Sequence, residues 1–172
     1  MNLFTEAELI SFGRDLGKKF AKEMFKNPRP IVVELVGDVG VGKTTLTRGI
    51  AEGLGVDKPV TSPSFTICKR YGFYDKNSKI NGVDTLIDPV YFYLNHYDFY
   101  RLEDPGLMSE DLAESISNDH TVTIIEWGES VADILPEDHI TFYISLNDDG
   151  SRTITESKTN TASKKESKWS ST

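Results

Sequence analysis

The chain has 172 residues, 38% hydrophobic and 27% charged, the profile of one globular domain that can bury a core of ordinary size. No apolar run approaches the roughly 20 residues that span a bilayer, the single Cys68 excludes an internal disulfide, and three histidines offer no zinc-type cluster. The net charge is −8, and the last 16 residues hold four lysines and one glutamate, so residues 1–156 carry −11 and disfavour tight, direct binding of a polyanion such as nucleic acid.

The chain opens with MNLFTEAELI, which lacks the basic region, apolar stretch and small-residue cleavage site of a secretory signal, so a cytoplasmic protein is expected. Residues 5–25 start with Thr5 and Glu8 in capping-box spacing and continue with helical apolar periodicity. Asn27-Pro28-Arg29-Pro30 ends that helix, because prolines cannot continue it. IVVELV (31–36) is a short, β-branched apolar run, the pattern of a buried parallel strand.

GDVGVGKT follows, in which Gly37, Gly42, Lys43 and Thr44 fit G-x-x-x-x-G-K-[ST]. The glycines let the backbone curl so that N–H groups point at phosphate oxygens, and the positive end of the next helix adds to that field. Lys43 then reaches the outer phosphates and the Thr44 hydroxyl becomes a magnesium ligand. The motif sits where it must, after an apolar strand and before a helix, KTTLTRGIAEGLG (43–55), closed by Gly55.

TSPSF (61–65) is a hydroxyl-rich turn soon after that helix, where a segment sensing the terminal phosphate would lie; as a bare string it reads equally as an ordinary turn. Residues 65–74 and 90–100 are two aromatic and β-branched strands, separated by a polar segment with Asn-Gly and Asp-Pro turn signals. In the second strand His96, Asp98 and Tyr100 alternate with Tyr97 and Phe99, which puts the polar trio on one face. That face reads either as a site or as a solvated edge. A helix over 107–117 and a buried strand over 121–127 come next. The strand runs four mostly apolar residues into Glu126, in the position of an acid near magnesium and the attacking water of a nucleotide hydrolase, or of a surface glutamate capping a strand. A short helix at 129–135 leads to a terminal hairpin turning at Asp149-Gly150.

These elements predict an α/β fold: a P-loop NTPase-like three-layer sandwich whose mixed sheet has a parallel core and antiparallel edge strands. Residues 1–156 form the domain, and 157–172, mostly serine, threonine and lysine, read as a disordered tail. No N-K-x-D or T-K-x-D string reads a guanine base, and the six arginines (14, 29, 48, 70, 101, 152) form no lid of the kind a small-molecule kinase closes over its phosphate. The classes still open are an ATPase, a phosphotransferase with a small-molecule acceptor, and a non-hydrolysing nucleotide-dependent binding module.

Taken in order, GDVGVGKTT, TSPSF, HYDFYRLEDP and IIEWGE resemble the TsaE family, also called YjeE, over residues 3–156, with DDGSRTI similar to its closing strand. The resemblance implies slow hydrolysis of ATP to ADP with Mg2+, in the pathway that makes threonylcarbamoyladenosine in tRNA. It implies partnership with TsaB and TsaD, which carry out the transfer, while this chain resets or activates their complex without gripping tRNA itself. Carried over by position, Gly37, Asp38, Val39, Gly40, Val41, Gly42, Lys43, Thr44 and Thr45 form the phosphate loop. Thr61 and Ser62 begin the switch-like segment, and His96, Asp98, Tyr100 and Arg101 match the H-x-D-x-Y-R string. Glu126 and Trp127 match the E-W pair. Among these, Thr44, Glu126 and Asp98 are implied on the metal side, and Asp98 and Glu126 as the catalytic acids; either can hold magnesium through a water while the other orients the nucleophile. Two features depart from the family: Ser64 stands where threonine is commoner, and residues 72–90 are longer than the usual connection. That length reads as a surface insertion or as a change at the partner interface.

Overall fold

The computed structural model describes residues 2–63, 65–75, 79–80, 83–84 and 90–158. Ser64, most of the 72–90 interval and the tail from residue 159 onward lie outside the described residues. Nine strands and three α-helices appear among those described, in the order β1 (Asn2–Phe4), α1 (Glu6–Lys26), β2 (Ile31–Val36), α2 (Lys43–Leu54), β3 (Cys68–Tyr74), β4 (Lys79–Ile80), β5 (Val83–Asp84), β6 (Tyr91–Asp98), α3 (Leu107–Ser117), β7 (Thr121–Glu126), a 3₁₀ helix (Gly128–Ile134), β8 (Ile140–Leu146) and β9 (Arg152–Lys158).

Seven strands form one sheet in the order β1-β9-β8-β2-β7-β6-β3, while β4 and β5 pair separately. Neighbours among β8, β2, β7 and β6 run parallel, and β9 with β1 at one edge and β3 at the other run antiparallel. The expected three-layer α/β sandwich with a parallel core and antiparallel edges is present. One face carries the larger core, where Leu46 and Ile50 of α2 and Leu9 and Phe20 of α1 meet Val33, Leu35, Val122, Ile124 and Phe142 of the sheet. The other face buries Val32, Tyr97 and Ile125 under Leu112 of α3 and Val131 of the 3₁₀ helix. Alternation along each strand sorts its side chains between these cores.

Local chemistry sets the element ends. The Thr5 hydroxyl accepts from the Glu8 N–H at 3.3 Å and the Glu8 carboxylate accepts from the Thr5 N–H at 2.8 Å, completing the capping box that starts α1. Gly55, left-handed at φ 88°, closes α2 as its N–H donates to Glu52 and that of Val56 to Ala51. The strand expected from residue 65 begins at Cys68, because the N–H groups of Thr66 and Ile67 both turn back onto the Pro63 carbonyl, with Ile67 at φ 62°. Likewise β6 stops at Asp98, whose carboxylate accepts from the Tyr100 N–H and turns the chain. Trp127, at φ 59°, ends β7 one residue before the expected boundary, and the short helix expected over 129–135 is a 3₁₀ helix over Gly128–Ile134. The three-residue β1 was not anticipated, and β9 includes Ser157 and Lys158, two residues assigned above to the tail.

The contact between α1 and α2 is made through glycine. A Cβ on Gly17 would stand 2.1 Å from the Ile50 carbonyl oxygen, and one on Gly53 would stand 2.1 Å from that of Arg14, with Gly13 and Gly49 meeting one turn away. The two backbones touch, so α2, which begins at Lys43, is held at one distance from α1. Alanine at Gly17 or Gly53 must push the helices apart. Gly17→Ala is expected to lower unfolding stability by about 1–3 kcal/mol in a urea titration; a wild-type midpoint would show that the seam can open without cost.

Candidate active site

The parallel strands end at one edge of the sheet, where ligands of open α/β folds bind. Leu35 pairs with Glu126, and Glu126 with Asp98, so the last residues of β7 and β6 stand level, beside the point where β2 gives way to the phosphate loop. Together they form a cleft of about 340 Å³ lined by Gly42, Lys43, Thr44, Asp98, Glu126 and Trp127, with Val39, Gly40, Thr45, Ser62 and Tyr100 at its rim.

Around the loop, Gly37, Gly40 and Gly42 all have positive φ, which glycine adopts without strain. Gly37 also fits tightly against β8, since a Cβ there would lie 2.2 Å from the Ile144 carbonyl oxygen. Val41 is buried and anchors the loop, while Asp38, Val39 and Gly40 are exposed. Lys43 is 5% exposed and its ammonium donates to the carbonyls of Gly37 at 2.6 Å and Asp38 at 2.9 Å. It also stands 4.0 Å from the Trp127 ring centroid. Burial pushes the Lys43 ammonium below its usual range, opposed by the nearby carboxylates of Glu126, Asp98, Asp38 and Glu129.

Glu126 is 3% exposed, which removes the surface-cap reading. Its carboxylate accepts from the Thr44 hydroxyl at 3.1 Å, joining β7 to the first turn of α2, and meets His96 Nε2 at 2.8 Å. His96 is fully buried behind Glu126 and does not line the cleft, so it supports the acid rather than touching a nucleotide. Its Nδ1 has no partner among the described residues. Asp98 is 5% exposed, on an internal strand, so the solvated-edge reading of the His96–Asp98 face is also removed. Asp98 accepts from the Ser62 hydroxyl at 2.9 Å and its N–H donates to the Ile67 carbonyl, which ties the 61–67 segment to the site.

Besides His96, the expected residues Gly37, Asp38 and Val41 of the loop do not line the cleft, and neither do Thr61 and Arg101. Thr61 is exposed and accepts from the Lys69 ammonium at 2.6 Å, and Arg101 is exposed, 4.7 Å over the Tyr100 ring. Tyr100 was matched to the motif without a role; it stands at the rim with its ring 5.0 Å from that of Trp127. Lys69, which also donates to the Ser62 carbonyl, was not singled out. Its only signal in the sequence is its place in β3, directly across from His96.

The Thr44 hydroxyl and the Glu126 and Asp98 carboxylates are hard oxygen ligands of the kind magnesium takes, and the Thr45, Ser62 and Tyr100 hydroxyls also line the cleft. Two buried carboxylates face the single lysine of the cleft, a charge balance that an anionic ligand accompanied by a divalent cation would suit. Among the described residues no group of three or more acidic, histidine or cysteine side chains is placed to hold a metal ion. No helix among the described residues is long and apolar enough to cross a membrane.

A sequence model described as "Threonylcarbamoyl adenosine biosynthesis protein TsaE" matches residues 3–154. The chain is 36% identical over 135 residues to a tRNA threonylcarbamoyladenosine biosynthesis protein TsaE of Haemophilus influenzae, covering 77% of this chain and 75% of the relative. It is 38% identical over 125 residues to the protein of the same name from Bacillus subtilis, covering 72% and 67%. A crystal structure of Bacillus subtilis YdiB superposes with a TM-score of 0.56 at 29% identity, covering 88% of this chain and 81% of that one.

Removing the Glu126 side chain strands both the Thr44 hydroxyl and the buried His96 ring. Glu126→Ala is expected to cost about 1–3 kcal/mol in urea unfolding, and Glu126→Gln, which keeps an acceptor, clearly less. Equal losses for the two variants would show that the carboxamide cannot replace the carboxylate as a partner.

Proposed function

Because the chain belongs to the TsaE family, we propose that it serves threonylcarbamoyladenosine biosynthesis in tRNA as a magnesium-dependent ATPase that acts on a TsaB–TsaD complex. One observation carries the proposal: the phosphate-loop lysine and threonine share a cleft with two buried carboxylates from adjacent parallel strands.

In this reading the loop N–H groups and Lys43 bind the phosphates of ATP, and Lys43 leaves its backbone carbonyls to do so. Thr44 and Glu126, already in contact, would hold Mg2+, which when bound would supply charge neutralisation for the phosphates. His96 holds Glu126 Oε1, while the Thr44 hydroxyl reaches both carboxylate oxygens, at 3.1 and 3.4 Å. Asp98, level with Glu126 and steadied by Ser62, is the second acid. One of the two orients the attacking water. Trp127 and Tyr100 close the mouth, and Trp127 reports Lys43 moving off its ring.

Lys43 is the one cation lining the cleft among the described residues. Charge developing on the terminal phosphate is therefore incompletely neutralised, and a missing arginine at that point can be worth ~10³ or more in rate. Slow intrinsic turnover follows, with docking of TsaB–TsaD completing the site. The negative body of the chain suits this role, leaving tRNA to its partners.

Phosphate release measured with and without TsaB–TsaD tests the reading. Turnover is expected to rise with the complex and to vanish when magnesium is chelated. Lys43→Ala should weaken ATP binding, while Asp98→Ala and Glu126→Ala should reduce hydrolysis at least tenfold, by an order-of-magnitude expectation for such groups, with smaller losses of binding. Unaltered turnover in both acid variants, or no stimulation at saturating complex, would refute the assignment.

A further inference from the structure

Glu34 is an acidic residue two places before the end of the central strand β2, where apolar residues are the rule. It shares the face of Val32, so its side chain points to the 3₁₀-helix side of the sheet, and it is only 16% exposed there. Residues at the start of β8 hold it in place. The Thr141 hydroxyl donates to Oε2 at 3.4 Å, and His139 Nε2 stands 3.4 Å from the same oxygen. The His139 ring is fixed in turn, with Nδ1 2.6 Å from the Pro136 carbonyl oxygen.

The other oxygen, Oε1, faces Gly128. A Cβ on Gly128 would stand 2.8 Å from Oε1 and 3.2 Å from Ile125 Cγ2, so the carboxyl group of Glu34 fills the space that a side chain would need. Gly128 is not among the glycines of positive φ, so space rather than backbone conformation calls for glycine there. The residue before it, Trp127, is left-handed at φ 59°, which a large side chain keeps only where its surroundings enforce it. Two residues anchor this turn to the sheet: Val131 is buried in one cluster with Val32, and Gly128 rests on Glu34. The turn matters at the cleft, because the Trp127 ring centroid lies 4.0 Å from the Lys43 ammonium and 5.0 Å from that of Tyr100.

We infer that Glu34 is a positioning residue for Lys43: held by Thr141 and His139, its carboxyl group sets where the Gly128 backbone lies, and so places the Trp127 ring against the ammonium. Glu34 does not line the cleft and acts through Gly128. The inference rests on the phosphate-loop reading, and a ligand-free measurement keeps the two apart.

Acrylamide quenching of the full chain in a Trp169→Phe background, where Trp127 is the one indole, reports the turn without ligand. Calorimetric titration with magnesium ADP reports Lys43. Gly128→Ala, whose Cβ meets Oε1, is expected to expose Trp127 to quencher and to weaken ADP about tenfold, and Glu34→Ala to do the same about fivefold. The double variant, in which the new methyl enters the space Glu34 has vacated, should return to within about threefold of wild type. Glu34→Gln, which keeps the size and shape of the group, should stay within about twofold. Wild-type quenching and ADP affinity in both alanine variants, even with a lowered urea midpoint, would overturn the inference, as would additive losses in the double variant or a full loss in Glu34→Gln. Should Gly128→Ala fail to fold, Glu34→Ala and the double variant carry the same comparison. Should the wild-type chain bind no ADP, the phosphate-loop reading fails, and the quenching series alone supports or overturns Glu34 as the brace of the turn.

Discussion

Glu126 is the joint on which the site turns. Its carboxylate is buried at the end of the central strand β7, where an unpaired charge would be costly, and it is tolerated because two donors converge on it. One is the Thr44 hydroxyl from the first turn of α2, and the other is His96 from the neighbouring strand. A single side chain thus ties the phosphate-loop helix to two strands of the parallel core. The same bonds hold it beside the point where β2 releases the chain into the loop.

Much of this arrangement was legible before any coordinates. The phosphate loop lies in one continuous string, so its strand, glycines and helix could be read together, and the boundaries of β2 and α3 followed from apolar pattern alone. Asp98 and Glu126 stood out because each ends or interrupts an apolar run, and burial on adjacent strands decided between their site and surface readings. What escaped depends on long-range geometry or on local strain. His96 shares a face with Asp98, but its contact with Glu126 is set by the β6–β7 register, which no local string encodes. Ile67 and Trp127 take left-handed backbone conformations that their residue types disfavour, so strand ends expected from propensity fell one to three residues away. β1 is too short to show a period, and it exists because β9 offers it an edge.

The division of charge follows from the sheet order. Strands β7 and β6 place acids on one side of the loop, and β8 and β9 place an arginine on the other, with Lys43 between them. The cleft thus gathers side chains from strands that are neighbours in space though distant in sequence.

The glycine seam between α1 and α2 has a mechanical consequence. Where backbone meets backbone there are no side chains to change rotamer and absorb a displacement, so the pair cannot slide or tilt by small repacking steps. A pull on the amino end of α2 is delivered undiminished along both helices, as through a riveted strut. The chain on the far side of the cleft is joined differently, through side-chain and backbone hydrogen bonds from Ser62 and to Ile67 at Asp98.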